Sequence, residues 1–190
     1  MSVQKKRPAG RDRERTRGHI LAAARRAFAT RGYAQTGVRE IAAAAGITPA
    51  LVVRYFGGKQ KLFLAAVGDD LALPPFLGGD DRSEIGRLVV DWMVNKPAHD
   101  DGGFAILVLA ANEPSLAAPL KRLMKERLLD PLEAWLGGRN AEARAALLIS
   151  IFTGVWMCRH VTPLPPLVGN IDRATAASLA ALVQSLVTPS

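Results

Sequence analysis

Arg54 and Lys59 are the side chains whose type and placement suit an anionic partner. A guanidinium presents a rigid fork of donors that fits guanine O6/N7 or a phosphate, whereas an ammonium is a point charge suited to phosphate. Around them stand Thr36, whose hydroxyl and amide can serve a phosphate at the start of a helix, Arg39, Thr48 and the phenol of Tyr55. Pro49, Ala50 and Val53 offer only apolar contact, such as to a thymine methyl. These nine residues are the candidates for contact with duplex DNA. For Arg39 a solvated charge competes with that reading, and for Tyr55 a packing ring does.

Other chemistries are poorly represented. The sequence has no Gly-rich phosphate loop, HExxH, GxSxG or CxxC, and no carboxylate pair is set apart as acid and base. Cys158 and His160, two apart, would point to different faces of a helix, so no metal is expected. His19 and His99 have no neighbour at ligand spacing. The pairs Asp69-Asp70, Asp80-Asp81 and Asp100-Asp101 read as helix caps and loop solvation. No cofactor is implied.

The elements that must hold the candidate contacts follow from apolar periodicity. Ile20, Leu21, Ala24, Ala27 and Phe28 repeat with a helical period, and Gly32 ends that run. A second helix opens near Thr36 and buries Val38, Ile41, Ala42 and Ala45, with Gly46 as its left-handed stop. Thr48-Pro49 then reads as N-cap and first residue of a short third helix, closed by Gly57-Gly58. A fourth starts near Lys59 and buries Leu62, Phe63, Ala66 and Val67. Helix, three-residue turn and short helix is the spacing of a helix-turn-helix, which lays the N-terminal part of its second helix in the major groove. On that helix Leu51, Val52, Tyr55 and Phe56 form the inward face and leave Pro49, Ala50, Val53 and Arg54 outward.

The rest of the chain also reads as helices. One stripe runs through Ile85, Leu88, Val89, Trp92 and Met93, and Phe104 to Ala111 is a shorter apolar segment. Leu116 to Trp135 should be kinked or locally unwound by Pro131. Ala141 to Arg159 is apolar nearly all round, and Leu179 to Val187 is a last stripe. No segment alternates with period two, so the fold expected is all-α.

Composition sets the bounds. The 190 residues are 49% hydrophobic and 22% charged, an ordinary globular balance, with a formal net charge of +8. Residues 1–61 hold 14 Lys/Arg against 3 Asp/Glu, and residues 62–190 hold 11 against 14. A basic third joined to a mildly acidic body suggests a polyanion as partner of the first third. Lys5, Lys6, Arg7, Arg11, Arg13 and Arg15 lie in a stretch with little to bury. Residues 1–15 are therefore expected to be a disordered basic arm. The single cysteine, Cys158, excludes an internal disulfide framework and suits a reducing compartment. The run from Ala145 to Cys158 falls short of the roughly 20 residues of a membrane span and reads as buried helix. No signal peptide is evident, so a cytoplasmic protein without membrane association is expected.

Thr16 to Val67 resembles the DNA-binding domain of the tetracycline-repressor (TetR) family of bacterial regulators. The residues that carry the likeness are Ile20-Leu21-Ala22-Ala23-Ala24, Phe28, Gly32-Tyr33, Thr36, Val38-Arg39-Glu40-Ile41-Ala42, Ala45-Gly46-Ile47-Thr48, Tyr55-Phe56, Lys59 and Leu62. They cover about a quarter of the chain. The resemblance implies a homodimer on a palindromic operator, with a divergent C-terminal domain that binds an effector and releases DNA. The sequence departs from the family at Val53, where a tyrosine is usual, and at Gly57-Gly58, where proline, asparagine or serine often precedes the lysine. Both departures bear on operator choice.

The expected organisation is an N-terminal three-helix DNA-binding domain with a helix-turn-helix over 16–63, then a larger helical effector-binding and dimerisation domain over 64–190. Trp92, Met93, Phe104, Leu107, Trp135, Trp156 and Met157 are candidates to line an effector pocket, with core filling as the competing reading. Leu148, Phe152, Val155, Leu179, Leu182 and Leu186 are candidates for a dimer seam, because their two stripes are too apolar to face water. The function expected is a ligand-responsive transcriptional regulator, a repressor released from its palindromic operator by a small hydrophobic or aromatic molecule. The alternatives are a dimeric DNA-binding regulator or coat protein without an effector, and an α-helical enzyme.

Overall fold

A computed structural model of the chain describes residues 9–69, 71–95 and 102–189. Among them the regular structure is helical throughout, without a strand. In chain order the α-helices are α1 (Ala9–Gln35), α2 (Val38–Ala44), α3 (Pro49–Phe56), α4 (Lys59–Gly68), α5 (Ile85–Asn95), α6 (Gly102–Leu109), α7 (Ala117–Met124), α8 (Asp130–Leu136), α9 (Ala141–His160) and α10 (Arg173–Val187).

The first helix corrects one expectation. Residues 9–15, read from the sequence as disordered arm, are already helical. Once a nucleus exists downstream, each added residue contributes a hydrogen bond for its own two dihedrals, so the first turns need no buried side chain. Locally, the Thr16 hydroxyl donates to the Asp12 carbonyl at 2.8 Å and Arg15 pairs with Asp12 at 3.6 Å. Lys5, Lys6, Arg7, Asp70, His99, Asp100 and Asp101 lie outside the described residues.

The chain forms two compact units, Met1–Asp70 with Gly102–Lys121, and Leu71–Asp101 with Arg122–Ser190. In the first unit α1 packs on α4 and both pack on α6. Phe28 and Phe63, fully buried, meet edge to face with centroids 5.0 Å apart, and Tyr33 meets Phe63 in the same geometry. Removing a ring of this kind costs about 3–5 kcal/mol. Arg25 fastens α1 to α4 from outside, with Nε donating to the Ala66 carbonyl at 2.9 Å and the guanidinium 3.7 Å from Asp69.

In the second unit α5 and α10 approach most closely. A Cβ on Gly86 would lie 2.1 Å from the Ala180 carbonyl oxygen, so the two backbones touch and no larger residue fits. The Gln184 side chain bridges the pair, accepting from the Gly86 amide at 2.9 Å and donating to the Arg82 carbonyl at 2.8 Å. α10 is capped by Asp172, which accepts from the amides of Ala174 and Thr175. The disturbance expected at Pro131 takes the form of a π turn over Lys125–Leu129, immediately before α8. The wider turn absorbs the missing proline amide and the ring's clash with the carbonyl four residues back.

α9 departs from its reading as a buried helix. It is 20 residues long, and only Arg144, Ala145 and Trp156 are buried. By length and composition alone it could cross a membrane. Its buried Arg144 is held by carbonyls: Nη1 donates to Leu186 at 3.1 Å, Nε to Arg139 at 3.1 Å, and Nη2 to Gly137.

Candidate nucleic-acid interface

The helix-turn-helix is built by backbone conformation first. α2 stops because Gly46 takes φ +68°, a left-handed conformation open to glycine at little cost. Ile47 then half-buries itself in the turn, and Thr48, extended at φ −85°, ψ 150°, starts α3 with Pro49 in the first turn. Thr48 makes no side-chain capping bond, and its exposed hydroxyl is left for another partner.

α3 divides its faces as its spacing requires. Val52 and Phe56 are buried, and Leu51 and Tyr55 are half-buried. Pro49, Ala50, Val53 and Arg54 are exposed, Val53 to 49%. Arg54 has no hydrogen bond or ion pair to any described residue, so its five donors face solvent. The outward face is therefore one guanidinium on a small apolar surface.

The other candidates divide. Arg39 is exposed on α2. Lys59, half-buried at the start of α4, holds its Nζ 4.3 Å above the Tyr33 ring and 3.2 Å from the Ala34 carbonyl. That ring fixes where the ammonium stands, a role for Tyr33 that sequence alone did not reveal. Burial pushes the Tyr33 phenol upward, against the Ser115 hydroxyl that pulls it down. In the same unit Gln60 donates to the Ser115 carbonyl at 2.8 Å. Gly58, the residue before Lys59, sits at φ +133°, ψ 178°, which is essentially a glycine conformation.

Thr36 requires a correction. Its side chain is 1% exposed, and its hydroxyl donates inward to the carbonyls of Gly32 at 2.7 Å and Ala27 at 3.2 Å. The bend at Gly32, φ 71° and ψ 176°, turns these carbonyls toward it. The hydroxyl is used within the protein and is not offered to a phosphate. Gly37, not Thr36, is the N-cap of α2.

The residues proposed from sequence for a pocket do not converge. Trp92, Met93 and Trp156 line one crevice in the second unit, together with Phe152, Val155, Arg159 and His160. Its volume is about 10 Å³, room for one water. Trp135 stands elsewhere in that unit, under the Arg82 guanidinium at 4.8 Å and donating to the Gly79 carbonyl. Phe104 and Leu107 are buried in the first unit, and Met157 is exposed. Helical periodicity gives the inward face of each helix but not which helix that face meets.

Among the seam candidates, Leu182 is 52% exposed, while Leu148, Leu179 and Leu186 are half-buried. Phe152 and Val155 line the crevice, and the Phe152 ring lies 5.3 Å from that of Trp92. The exposed stripe of α9 is instead Ala143, Leu147, Ser150, Gly154 and Met157, continued by Val161 just past the helix. Its signal was present in the sequence as small residues between large ones at three- and four-residue steps.

Comparison with known proteins agrees with this architecture. Residues 20–66 match the family of bacterial regulatory proteins, tetR family, and residues 84–187 match the tetracyclin repressor-like C-terminal domain. The chain belongs to the TetR family of DNA-binding transcriptional regulators, which are not enzymes. The HTH-type transcriptional activator FasR of Mycolicibacterium smegmatis is 31% identical over 134 residues, 61% of this chain. The match spans about 60% of that relative's length. A TetR-family regulator from Streptomyces coelicolor is 26% identical at a TM-score of 0.57, covering 97% of this chain and 99% of that one. The multidrug binding protein EbrR, solved with ethidium, shares the fold at 18% identity and a TM-score of 0.64, covering 91% of this chain and 99% of that one.

Proposed function

We propose that the protein represses transcription as a homodimer on a palindromic operator and lets go when a small hydrophobic or aromatic molecule binds its second unit. The observation that carries the DNA reading is the outward face of α3, where Arg54 has no described partner beside exposed Pro49, Ala50 and Val53. Arg54 reads a guanine edge, Ala50 and Val53 meet thymine methyls, and Thr48, Arg39, Tyr55 and Lys59 hold phosphates. DNA reading resides in residues 16–63, and residues 64–190 carry the effector and the seam. One recognition helix reads too few bases, so two are held about one helical turn, 34–36 Å, apart. The exposed apolar stripe of α9, with Leu182 of α10, supports a seam between copies.

The effector reading rests on the aromatic crevice of Trp92, Phe152 and Trp156, and on the fold shared with EbrR, which was solved with ethidium. A second reading, a dimeric regulator without an effector, is favoured by the small volume of that crevice. One experiment separates them. Selection of binding sites from random duplexes with the purified protein should return a palindrome. Titrating hydrophobic compounds into the complex should then release it. A palindrome with no release by any compound that binds supports the second reading. Recovery of no preferred sequence overturns the operator.

A further inference from the structure

The crevice at the end of α9 holds more charge than a hydrophobic effector requires. Arg159 lines it beside Trp92, Phe152, Trp156 and His160. The Arg159 guanidinium spends its outer nitrogens on backbone: Nη1 donates to the carbonyls of Leu167 and Gly169, and Nη2 to that of Val94 at 3.2 Å. Its Nε is buried without a hydrogen-bond partner. No carboxylate among the described residues pairs with it. A half-buried cation lacking a counter-ion and one donor bond is costly, and holding a loop to the end of α5 does not account for the leftover donor. The next residue, His160, lies tilted against Trp156 with centroids 5.4 Å apart and makes no side-chain hydrogen bond to a described residue. Two unspent nitrogen donors thus sit at the edge of an aromatic wall.

We propose that the effector is an aromatic carboxylate, its ring between Trp92, Phe152 and Trp156 and its anionic head on Arg159 and His160. The inference rests on the effector reading above and narrows it to one chemical class. Two donors match the two oxygens of a carboxylate, whereas a phosphate dianion would leave more of its acceptors bare. Because the crevice holds about one water, binding must part Trp92 from Phe152, and tryptophan emission should change with it.

The test is calorimetry of the full chain with a matched pair, 2-naphthoate and 2-naphthamide, alone and on operator DNA. The acid is expected to bind at least tenfold more tightly than the amide. That preference should fall to near unity in Arg159→Gln and persist in part in Arg159→Lys. Should Arg159→Gln fail to fold, His160→Leu, which leaves the loop contacts alone, should still reduce the preference severalfold. Equal affinity for acid and amide in the wild type, an undiminished preference in both Arg159→Gln and His160→Leu, or no binding of either probe overturns the proposal. Equal affinity with DNA release would overturn the carboxylate and keep the effector. Tight, Arg159-dependent binding of the acid without release would keep the site and overturn the effector's coupling to DNA.

Discussion

The Thr36 hydroxyl donates to the Gly32 carbonyl at 2.7 Å, so a residue two positions ahead of α2 ties down the end of α1. Thr36→Val keeps the shape and leaves the Gly32 and Ala27 carbonyls without this donor. The loss expected is about 1–3 kcal/mol of folding stability, read by urea denaturation. Operator affinity per folded molecule should be unchanged. Normal stability with weakened binding would show instead that the hydroxyl reaches DNA.

Arg54→Ala should weaken operator binding by about 1–3 kcal/mol and relax the preference at one position in each half-site. Binding to random duplex should change little. An equal loss on operator and random DNA would make Arg54 a phosphate contact.

Lys59→Ala should weaken all sequences alike and make the salt dependence shallower by about one counterion. It also removes the ammonium from the Tyr33 ring, which at a partly exposed site contributes about 0.5–1 kcal/mol. A gel-shift salt series and a thermal melt distinguish the two effects. A loss confined to one operator sequence would assign Lys59 to base reading.

Leu182→Glu and Leu147→Glu place charges on exposed positions of α10 and α9. Both should yield folded monomers that bind DNA far more weakly, as seen by sedimentation. Phe152→Glu, whose ring lies 5.3 Å from Trp92, should lower the melting temperature of the second unit first. Intact dimers in both leucine variants would move the seam.

Asp172 has its carboxyl held below the usual carboxylate range, chiefly by the Thr175 hydroxyl and then by the Thr175 amide. Because the folded value lies below the unfolded one, its contribution is complete above the ordinary carboxylate range and fades as pH falls through the folded value. Asp172→Ala should therefore lower the melting temperature at neutral pH, and the gap to wild type should shrink on acidification. A constant gap would remove the cap from this account.

The helix order, the Gly46 turn and the two faces of α3 were legible in the sequence because local spacing determines them. Thr36 was recognisable as a motif residue, but its direction depends on the Gly32 bend, which spacing does not reveal. The aromatic candidates failed as a group for a related reason. Trp92 and Trp156 meet through tertiary packing, while Trp135, on an equally apolar stretch, meets Arg82 instead. Val53 could be placed on the outward face of α3 from its position alone, since nothing but the period of a short helix was needed.

The Gln184 bridge to Gly86 and Arg82 joins residues about a hundred positions apart, and it sits in the last helix. During synthesis the start of α5 is made long before its partner, so its amide at Gly86 must wait on water until α10 leaves the ribosome. The second unit is therefore a late-closing one. Long-range contacts of this kind slow folding more than they reduce stability. The faces of α5 and α9 that pack on α10 are uncovered for that interval, and overproduction at high temperature should lose protein through this unit before the first one.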